Sequence, residues 1–403
     1  MAVRQSRVAS VSAMANTTRF APVFGKPVFR DIHDVAKHHD CRVPVFCFHP
    51  ARLERRIKCF VDGFAGDLSY AVKANSSEEL LKRAAAFGLA TFDVASLGEI
   101  ERVRDVFPGA RLHYHNPVKS SQEISEAYFG HGCRRFAVDC LEELDKISRI
   151  TGNHESVEIA VRFKMPRHAA AVYDFSSKFG ASISDSAMLL RQVVARNFIP
   201  VLTFHPGSQC LEPGAWAEHV HCAAGIARAA NVKLHGLNVG GGFPVNTSAN
   251  KVPALSAFFA AINTAADEAF ADRVPKLECE PGRAICAPAF TQLTAIKLFK
   301  QATGEVYLND GIYGGLLETS QAADLLPVYQ LVRDGIAVEG PRKPYTIYGP
   351  TCDPLDVLPN KIALPADLRE GDIIAFFQAG AYSQAMATQF NGYGASQIVT
   401  VAD

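Results

Sequence analysis

The sequence lacks the features that define several large classes of protein. No apolar run approaches the ~20 residues that a membrane-spanning helix needs. The 403 residues include 41 Lys and Arg and 41 Asp and Glu, so no net charge favours nucleic acid or an anionic membrane. Internal repeats and low-complexity tracts are absent. We therefore expect an ordinary folded protein that has neither a membrane nor a nucleic acid as a partner.

Ten cysteines are scattered from Cys41 to Cys352, with no CxxC pair and no His/Cys cluster at zinc-ligand spacing. This pattern predicts neither a metal site nor a disulfide framework. Reduced thiols are typical of a cytosol-like compartment, so a cytoplasmic location is expected. Most of these cysteines should fill the core, and a cysteine with a chemical role has to be identified by its neighbours.

The first residues have an unusual composition. Residues 1–30 are rich in Ser, Ala and Thr and contain no acidic residue, whereas five basic residues occur there: Arg4, Arg7, Arg19, Lys26 and Arg30. Both an organelle transit peptide and a disordered tail have this composition, and we favour a tail over residues 1–27. Folded structure is expected to begin near Val28.

Strand and helix patterns alternate from Pro50 onward. Eight strand patterns occur, at residues 67–74, 90–96, 112–117, 135–140, 157–163, 199–207, 233–242 and 275–282. Helical patterns lie between most of them, including Glu78–Ala86, Glu142–Ile150, Ala187–Arg196, Ala215–Ala230 and Ala254–Ala271. This order predicts a (β/α)₈ barrel over residues 50–285. A doubly wound open sheet is the alternative, but its glycine-rich first turn is missing.

The pattern changes after Ile285 to short β-type runs broken by Gly and Pro. This change predicts an antiparallel β domain over residues 286–403. The N-terminal segment 28–49 contains a short helix pattern at 31–37 and the strand pattern VPVFCFH at 43–49. We expect it to join the β domain, so that the barrel is inserted into the sequence of that domain.

The motif YAVKAN, residues 70–75, places Lys73 at the end of an apolar strand. A lysine at the mouth of a barrel is partly desolvated, which favours the neutral amine that forms an imine with an aldehyde. A lysine that only extends from a strand end to solvent is the structural alternative. The rest of the sequence has to decide between the two.

Reactive residue types recur at the expected carboxyl ends of the barrel strands, where barrel enzymes have their active sites. In chain order they are Lys73, Asp93, Ser96, Asn116, Arg162, His205, Ser208, Gly240, Gly241, Gly242, Glu280, Gly282 and Arg283. Random placement would scatter these residues along the strands. The clustering therefore indicates an active site at this end of the barrel.

Two glycine loops, GGGF at 240–243 and EPGR at 280–283, follow the last two strands, where many barrels bind phosphate. Ser208 is a further phosphate donor, and His205 could lie flat on an aromatic ring. A buried Glu280 needs a positive partner. Pyridoxal phosphate satisfies all these demands, because it has an aldehyde for Lys73 and a protonatable ring nitrogen for Glu280.

Seven motifs then occur in an order that resembles the fold-type III pyridoxal-phosphate decarboxylases, the family of ornithine, lysine, arginine and diaminopimelate decarboxylases. The motifs are YAVKAN, FDVASLGEI, HPGSQ, GGGFP, EPGR, GPTCDPLD and GAYSQAMATQFNGY, and the resemblance covers roughly residues 40–395. The resemblance implies that Lys73 binds the cofactor aldehyde, His205 stacks on its ring and Glu280 pairs with its nitrogen. Phosphate contacts are implied for Ser208, Gly242, Arg283 and Tyr382, and supporting positions for Asp93 and Arg162.

The resemblance also implies a head-to-tail homodimer whose active sites are shared between subunits. Cys352 would return a proton to the substrate carbon, Asp353 would bind the distal ammonium of a basic substrate, and Phe390 would line the same pocket. The Cys-Asp pair favours ornithine or lysine over diaminopimelate, whose decarboxylases usually carry Cys-Glu. A second acidic residue for the distal amine has no clear match, since neither Glu318 nor Asp324 aligns.

Other functions stay open at this point. Diaminopimelate, or a specialised or carrier-linked amino acid, is an alternative substrate because of the missing acidic residue. An amino-acid racemase of the same fold is disfavoured by Glu280, since the related alanine racemases place an arginine at the ring nitrogen. A non-catalytic regulator is disfavoured because both Lys73 and Cys352 are present.

Overall fold

The computed structural model describes residues 28–165, 172, 177–270 and 273–402, so the tail predicted for residues 1–27 lies outside the described residues. The chain begins with β1 (Val28–Phe29), α1 (Ile32–His38) and β2 (Val45–Phe48). It then enters a parallel barrel and ends in a mixed ten-stranded sheet. The barrel and the sheet therefore account for all of the described strands.

The barrel strands are parallel throughout. They are β3 (Asp67–Leu68), β4 (Tyr70–Ala71), β5 (Thr91–Val94), β6 (Arg111–Tyr114), β7 (Arg135–Val138), β8 (Glu158–Arg162), β9 (Ile199–Thr203), β10 (Gly236–Asn238) and β11 (Lys276–Cys279). The predicted barrel is confirmed, with its first strand divided at Ser69. Because β3 pairs with β11 and β4 pairs with β5, the two halves of this strand close the barrel.

Helices cover the outside of the barrel. They are α2 (Pro50–Gly63), α3 (Glu78–Ala86), α4 (Leu97–Val106), α5 (Ser121–Ser125), α6 (Leu141–Thr151), α7 (Ile183–Ala195), α8 (Gly214–Ala230), α9 (Leu255–Ala269) and α10 (Arg283–Cys286). Their apolar faces pack inward, as Trp216 of α8 does against Phe243 of the loop after β10, with ring centroids 4.9 Å apart. No helix in the described ranges is long and apolar enough to cross a bilayer.

The β domain contains the remaining elements. They are β12 (Phe290–Lys300), β13 (Glu305–Leu308), α11 (Leu317–Gln321), β14 (Tyr329–Arg333), β15 (Ile336–Ala337), β16 (Arg342–Tyr348), β17 (Ile362–Pro365), β18 (Ile373–Phe377) and β19 (Gln397–Val401). As predicted, β1 and β2 join this sheet, and β2 pairs antiparallel with β12.

The pairing in the β domain is less uniform than the sequence predicts. Most neighbouring strands are antiparallel, but β1 with β19, β2 with β19 and β13 with β16 are parallel. The central strand β2 is flanked by β12 on one edge and by β19 on the other. Strand β19 runs in the same direction as β2, so the predicted antiparallel domain is in fact a mixed sheet.

Candidate active site

Lys73 lies on a single turn of 3₁₀-helix, Val72–Ala74, directly after β4. Two hydrogen bonds fix this turn. The Tyr70 hydroxyl donates to the backbone carbonyl of Asn75 at 2.8 Å, and the side-chain amide of Asn75 donates to the backbone carbonyl of Gly380 at 2.8 Å. Val72 and Ala74 are buried, whereas Lys73 is exposed. The single chain therefore leaves Lys73 more exposed than predicted, although its charge acts on the buried Glu280 and His205 at the barrel mouth.

Glycines shape the loop after β10. Gly240 has φ +68°, and a Cβ there would lie 2.1 Å from the Phe204 carbonyl oxygen. Gly242 has φ +90°, and its Cβ would lie 2.2 Å from the Gly207 carbonyl oxygen. Only glycine fits such positions, so the loops after β9 and β10 approach each other through backbone alone.

The EPGR loop after β11 continues this backbone surface. The Glu280 N–H donates to the Gly240 carbonyl at 2.8 Å, and a Cβ on Gly241 would meet the Glu280 carbonyl oxygen at 2.6 Å. On its other side, Gly282 lies against the Lys73 turn, where its Cβ would come within 2.8 Å of the Ala74 Cβ. The predicted phosphate loops are thus neighbours of Lys73.

His205 follows β9 and packs on the glycine loop. Its Nδ1 accepts a hydrogen bond from the Gly207 N–H at 3.1 Å. Its ring lies so close to Gly241 and Gly242 that a Cβ atom on either glycine would touch it. Burial lowers the pKa of His205 well below its ordinary value, so the imidazole is neutral. Ser208, in the same loop, is buried. A flat neutral ring therefore stands beside the predicted phosphate loops.

Glu280 lies inside the mouth of the barrel with its side chain 11% exposed. Its Oε1 accepts a hydrogen bond from Asn238 Nδ2 at 2.5 Å and pairs with His115 Nδ1. Burial, and then the nearby Glu278, raise the pKa of Glu280 to about 7. Burial, and then Glu280, raise the pKa of Asp93 to about 8. This end of the barrel therefore holds carboxyl groups that lack sufficient positive charge.

A second layer of charged residues lies behind Glu280. Glu278 pairs with His113 Nδ1 at 2.9 Å and with Arg135 at 2.6 Å, and Arg135 also binds Glu158. Burial acts to raise the pKa of Glu278, but His113 and Arg135 outweigh it and hold this pKa at about 2. Glu278 is thus a satisfied anion, in contrast to Glu280.

Sequence reasoning missed several members of this network, namely His113, His115, Arg135, Asn238 and Glu278. A signal was present, because His113 and His115 at the end of β6 and Glu278 and Glu280 at the end of β11 are spaced two residues apart. Residues at that spacing share one face of a strand. Polar pairs on the inner face of an apolar strand indicate a polar barrel interior.

Arg283 is paired with a carboxylate that the sequence did not indicate. Both terminal nitrogens of its guanidinium donate to Glu318, with Nη1 at 2.7 Å from Oε2, and its Cζ lies 4.9 Å from the Tyr382 ring centre. The Tyr382 N–H donates to the Ala74 carbonyl at 2.9 Å, which places this tyrosine beside the Lys73 turn. Arg283 and Tyr382 are therefore at the predicted site, with Glu318 as an additional partner.

Three other strand-end residues can now be placed. Arg162, at the end of β8, lies over the Phe179 ring at 5.4 Å and is attracted by Glu280. Ser96 accepts the Glu99 N–H at 3.3 Å and caps α4, while Asn116 donates to the Ala95 carbonyl at 3.2 Å. Ser96 and Asn116 thus hold local structure rather than the site.

Cys352, Asp353 and Phe390 form a separate group on loops of the β domain. Cys352 is exposed, and its N–H donates to Asn391 Oδ1 at 3.0 Å. The Tyr313 hydroxyl donates to Asp353 Oδ2 at 2.5 Å, and its ring centre lies 5.0 Å from that of Phe390. This hydroxyl holds the pKa of Asp353 below its ordinary value. The group therefore presents an ionised carboxylate beside a thiol.

The residues at the barrel mouth fit pyridoxal phosphate. Lys73 supplies an amine for the aldehyde, the glycine loops form a backbone surface for the phosphate, and His205 offers a flat face. Within the described part of the chain, Glu280 Oε2 accepts no hydrogen bond, and burial together with Glu278 raises the pKa of Glu280 in spite of the attraction of Lys73. Oε2 is therefore available to a further positive partner. A protonated ring nitrogen is such a partner. Barrel and site together define a pyridoxal-phosphate-binding enzyme.

Comparison with known proteins gives the family. The model of the pyridoxal-binding domain of pyridoxal-dependent decarboxylases matches residues 51–287, more than half of the chain. The chain belongs to this family and is an amino-acid carboxy-lyase that uses pyridoxal phosphate.

Individual relatives cover most of the chain. A lysine/ornithine decarboxylase of Selenomonas ruminantium is 32% identical over 333 residues, 80% of this chain and 80% of the relative. A diaminopimelate decarboxylase of Actinosynnema pretiosum subsp. auranticum is 30% identical over 351 residues, 84% of this chain and 78% of the relative. The solved arginine decarboxylase of Paramecium bursaria Chlorella virus bound to agmatine is similar with a TM-score of 0.81 and 26% identity, over 92% of this chain and 99% of that one.

Proposed function

We propose that this enzyme removes the α-carboxylate of a basic L-amino acid, ornithine or lysine, to give a diamine and carbon dioxide. The observation that carries the proposal is the group of Cys352, Asp353 and Tyr313. Asp353 is kept ionised by the Tyr313 hydroxyl, so it can bind an ammonium group beside the Cys352 thiol. The decarboxylases of lysine, ornithine and arginine among the relatives support this substrate class.

Residues at the barrel mouth hold the cofactor in this proposal. Lys73 binds its aldehyde, His205 supports its ring, and Ser208, Gly240, Gly241, Gly242, Gly282, Arg283 and Tyr382 surround its phosphate. Glu280 keeps the ring nitrogen protonated, with Asp93 and Arg162 completing the pocket. When bound, the protonated ring withdraws electrons from the substrate α-carbon as carbon dioxide leaves.

Cys352 is the group that returns a proton to the α-carbon in this proposal. General acid catalysis requires the thiol to lie within hydrogen-bond reach of that carbon. Cys352 and Asp353 lie on β-domain loops, whereas Lys73 and Glu280 lie at the barrel mouth. We therefore propose a homodimer in which these loops, together with Phe390, complete the active site of the partner subunit.

One observation favours a second class of substrate. Glu318 is occupied by Arg283, and Asp324 is exposed on a separate 3₁₀ turn, so neither is placed beside Asp353 by a contact in the described structure. A site in which Asp353 alone binds the distal group selects for an ammonium less strictly than a site with two carboxylates. Diaminopimelate or a specialised or carrier-linked amino acid is therefore the second candidate.

The direct test is carbon dioxide release from L-ornithine, L-lysine, L-arginine and meso-diaminopimelate by the enzyme loaded with pyridoxal phosphate. Cys352→Ala should lower the rate about 100-fold or more, as expected for loss of a general acid. Asp353→Asn should raise KM for the preferred diamine precursor about tenfold. Cys59→Ala, at an exposed cysteine on α2, is the control. If the wild type releases no carbon dioxide from either ornithine or lysine, the proposal is contradicted.

We also propose a cytoplasmic location. All ten cysteines are free in the described chain, and six of them are buried. Free thiols are stable in a reducing compartment. Fractionation of the native cells followed by immunoblotting tests this assignment, and recovery in a membrane or secreted fraction contradicts it.

A further inference from the structure

The two hydrogen-bonding partners of Glu280 meet the same carboxylate oxygen. Asn238 Nδ2 donates to Oε1 at 2.5 Å, and His115 Nδ1 is hydrogen-bonded to that oxygen as well. Oε2 accepts no hydrogen bond from any residue that the structure describes. The carboxylate is therefore bound on one side and open on the other.

The orientation of the Asn238 amide is fixed from the glycine loop. Gly240 N–H donates to Asn238 Oδ1 at 2.8 Å, so the NH₂ group faces away from that loop. This NH₂ reaches both Glu278 Oε1, at 3.1 Å, and Glu280 Oε1. Asn238 thus links the loop after β10 to the two carboxylates at β11.

His115 approaches Glu280 from across the barrel, since it follows β6. It is buried, and its buried Nε2 has no hydrogen-bond partner among the residues that the structure describes. Because Oε1 of Glu280 already accepts from Asn238, the Nδ1 atom of His115 carries the hydrogen and donates. Burial, only partly offset by Asp93, lowers the pKa of His115 to about 4. The donor is consequently a neutral imidazole.

We propose that His115 is a positioning residue that holds Glu280 by Oε1 and so directs Oε2 toward the ring nitrogen of the cofactor. A neutral donor suits this task, because it orients the carboxylate without neutralising its charge. A cationic donor at the same place would compete with the protonated ring for that charge. The inference rests on the proposed pairing of Glu280 with the ring nitrogen.

The chain offers a matched control for His115. His113 lies two residues earlier, on β6, and is also buried. It is hydrogen-bonded to Glu278 and not to Glu280. Substitutions at His113 and His115 therefore disturb the same polar interior, but only His115 is hydrogen-bonded to the open carboxylate.

Asparagine and glutamine provide a second comparison at position 115. The Asn amide nitrogen stands close to the position of imidazole Nδ1, whereas the Gln amide nitrogen corresponds to Nε2. His115→Asn should therefore keep the bond to Glu280, and His115→Gln should lose it. Both substitutions introduce a polar amide into the barrel, so a general effect on folding would affect both.

The experiment measures cofactor affinity and the ring-nitrogen signal of ¹⁵N-labelled pyridoxal phosphate by NMR, from pH 6 to 9, in each protein. His115→Ala and His115→Gln should weaken cofactor binding about tenfold or more, as for loss of a hydrogen bond to a charged group. Their ring nitrogen should also lose its proton at a lower pH than in the wild type. His115→Asn and His113→Asn should remain close to wild type in both measurements.

Two failures are distinguishable. If the wild type shows an unprotonated ring nitrogen throughout, the pairing with Glu280 fails, and with it this part of the proposed function. If the wild type is protonated and His115→Gln behaves in the same way, the role of His115 is overturned while the proposed function stands. An equal loss in His115→Asn and His115→Gln also overturns it, because the bond to Glu280 would then not be what matters.

Discussion

Glu280 and Asp93 are the residues whose protonation should make the cofactor-free protein sensitive to pH. Their pKa values, about 7 and about 8, exceed those of ordinary carboxyl groups. Below about pH 4 each of these carboxyl groups is protonated in both the folded and the unfolded protein, so its raised pKa costs no stability. The penalty grows as the pH rises, and it is complete above about pH 8.

We therefore expect the free energy of unfolding of the cofactor-free wild type to fall between about pH 4.5 and 7 more steeply than that of Glu280→Gln. Urea unfolding at several pH values measures this difference. Glu101→Gln, an exposed carboxylate of α4, should follow the wild type. Parallel pH profiles for wild type and Glu280→Gln would show that Glu280 is ionised without cost in the folded chain.

Glu318 provides a second residue-scale prediction. It receives both terminal nitrogens of Arg283, and both side chains are largely buried. Removal of one partner from a buried ion pair leaves an uncompensated charge, which typically costs about 3–5 kcal/mol. Glu318→Ala should therefore lower the free energy of unfolding by about this amount in the cofactor-free protein.

Relative to the wild type, Glu318→Ala should lose less stability when pyridoxal phosphate is present. Arg283 without its carboxylate can bind an anion at the EPGR loop, so added pyridoxal phosphate should restore part of the lost stability in thermal unfolding. If pyridoxal phosphate stabilised the wild type and Glu318→Ala equally, Arg283 would lie away from the phosphate group of the cofactor.

Single residues at the strand ends could be predicted because each belongs to a motif within one stretch of sequence. YAVKAN, GGGF and EPGR each place a reactive residue at the end of an apolar run. His115, Asn238 and Glu280 act together although they come from β6, β10 and the end of β11. His115 and Glu280 are 165 residues apart, and no local pattern indicates which strands face each other across a barrel.

At the scale of the element, the glycine loop after β10 gives a sharp prediction. Gly240→Ala places a Cβ 2.1 Å from a backbone oxygen, in addition to imposing a left-handed conformation on a residue with a side chain. Gly152→Ala imposes a similar conformation, φ +63°, but its Cβ would meet no atom of the described residues within 4 Å. The pair separates the steric clash from the conformational cost.

Gly152→Ala should lower the free energy of unfolding by about 1–2 kcal/mol, the usual cost of a left-handed residue. Gly240→Ala should lower it further and should also weaken pyridoxal phosphate binding, because the loop must move. Denaturant unfolding and equilibrium titration of the cofactor measure the two effects. Unchanged cofactor affinity in Gly240→Ala would exclude this loop from the phosphate site.

The spacing of apolar residues predicted well which segments are helices and which are strands, but it did not predict which strands pair. Helix α3 has the predicted bounds, Glu78–Ala86, because an Asn-Ser-Ser turn precedes it and its apolar residues recur at helical spacing. The division of the first barrel strand at Ser69 depends on closure of the barrel, since β3 and β4 have different neighbours. The parallel pairing of β2 with β19 likewise depends on residues about 350 positions apart.

At the scale of the whole molecule, the insertion of the barrel between β2 and β12 joins two sets of chemical groups in one chain. Lys73 lies at the barrel mouth, and Cys352 lies on the β domain. If the sites are shared in a homodimer, each active site takes Lys73 from one subunit and Cys352 from the other. Two inactive variants should then complement each other.

Lys73→Ala and Cys352→Ala each alter both sites of their own dimer. After subunits are exchanged in equal amounts, half of the dimers contain one chain of each kind, and one of the two sites in such a dimer is intact. About a quarter of wild-type decarboxylation should therefore return on mixing. If Lys73 and Cys352 act within one chain, no site is intact and mixing restores nothing. Carbon dioxide release before and after exchange thus decides whether the active site belongs to one chain or to two.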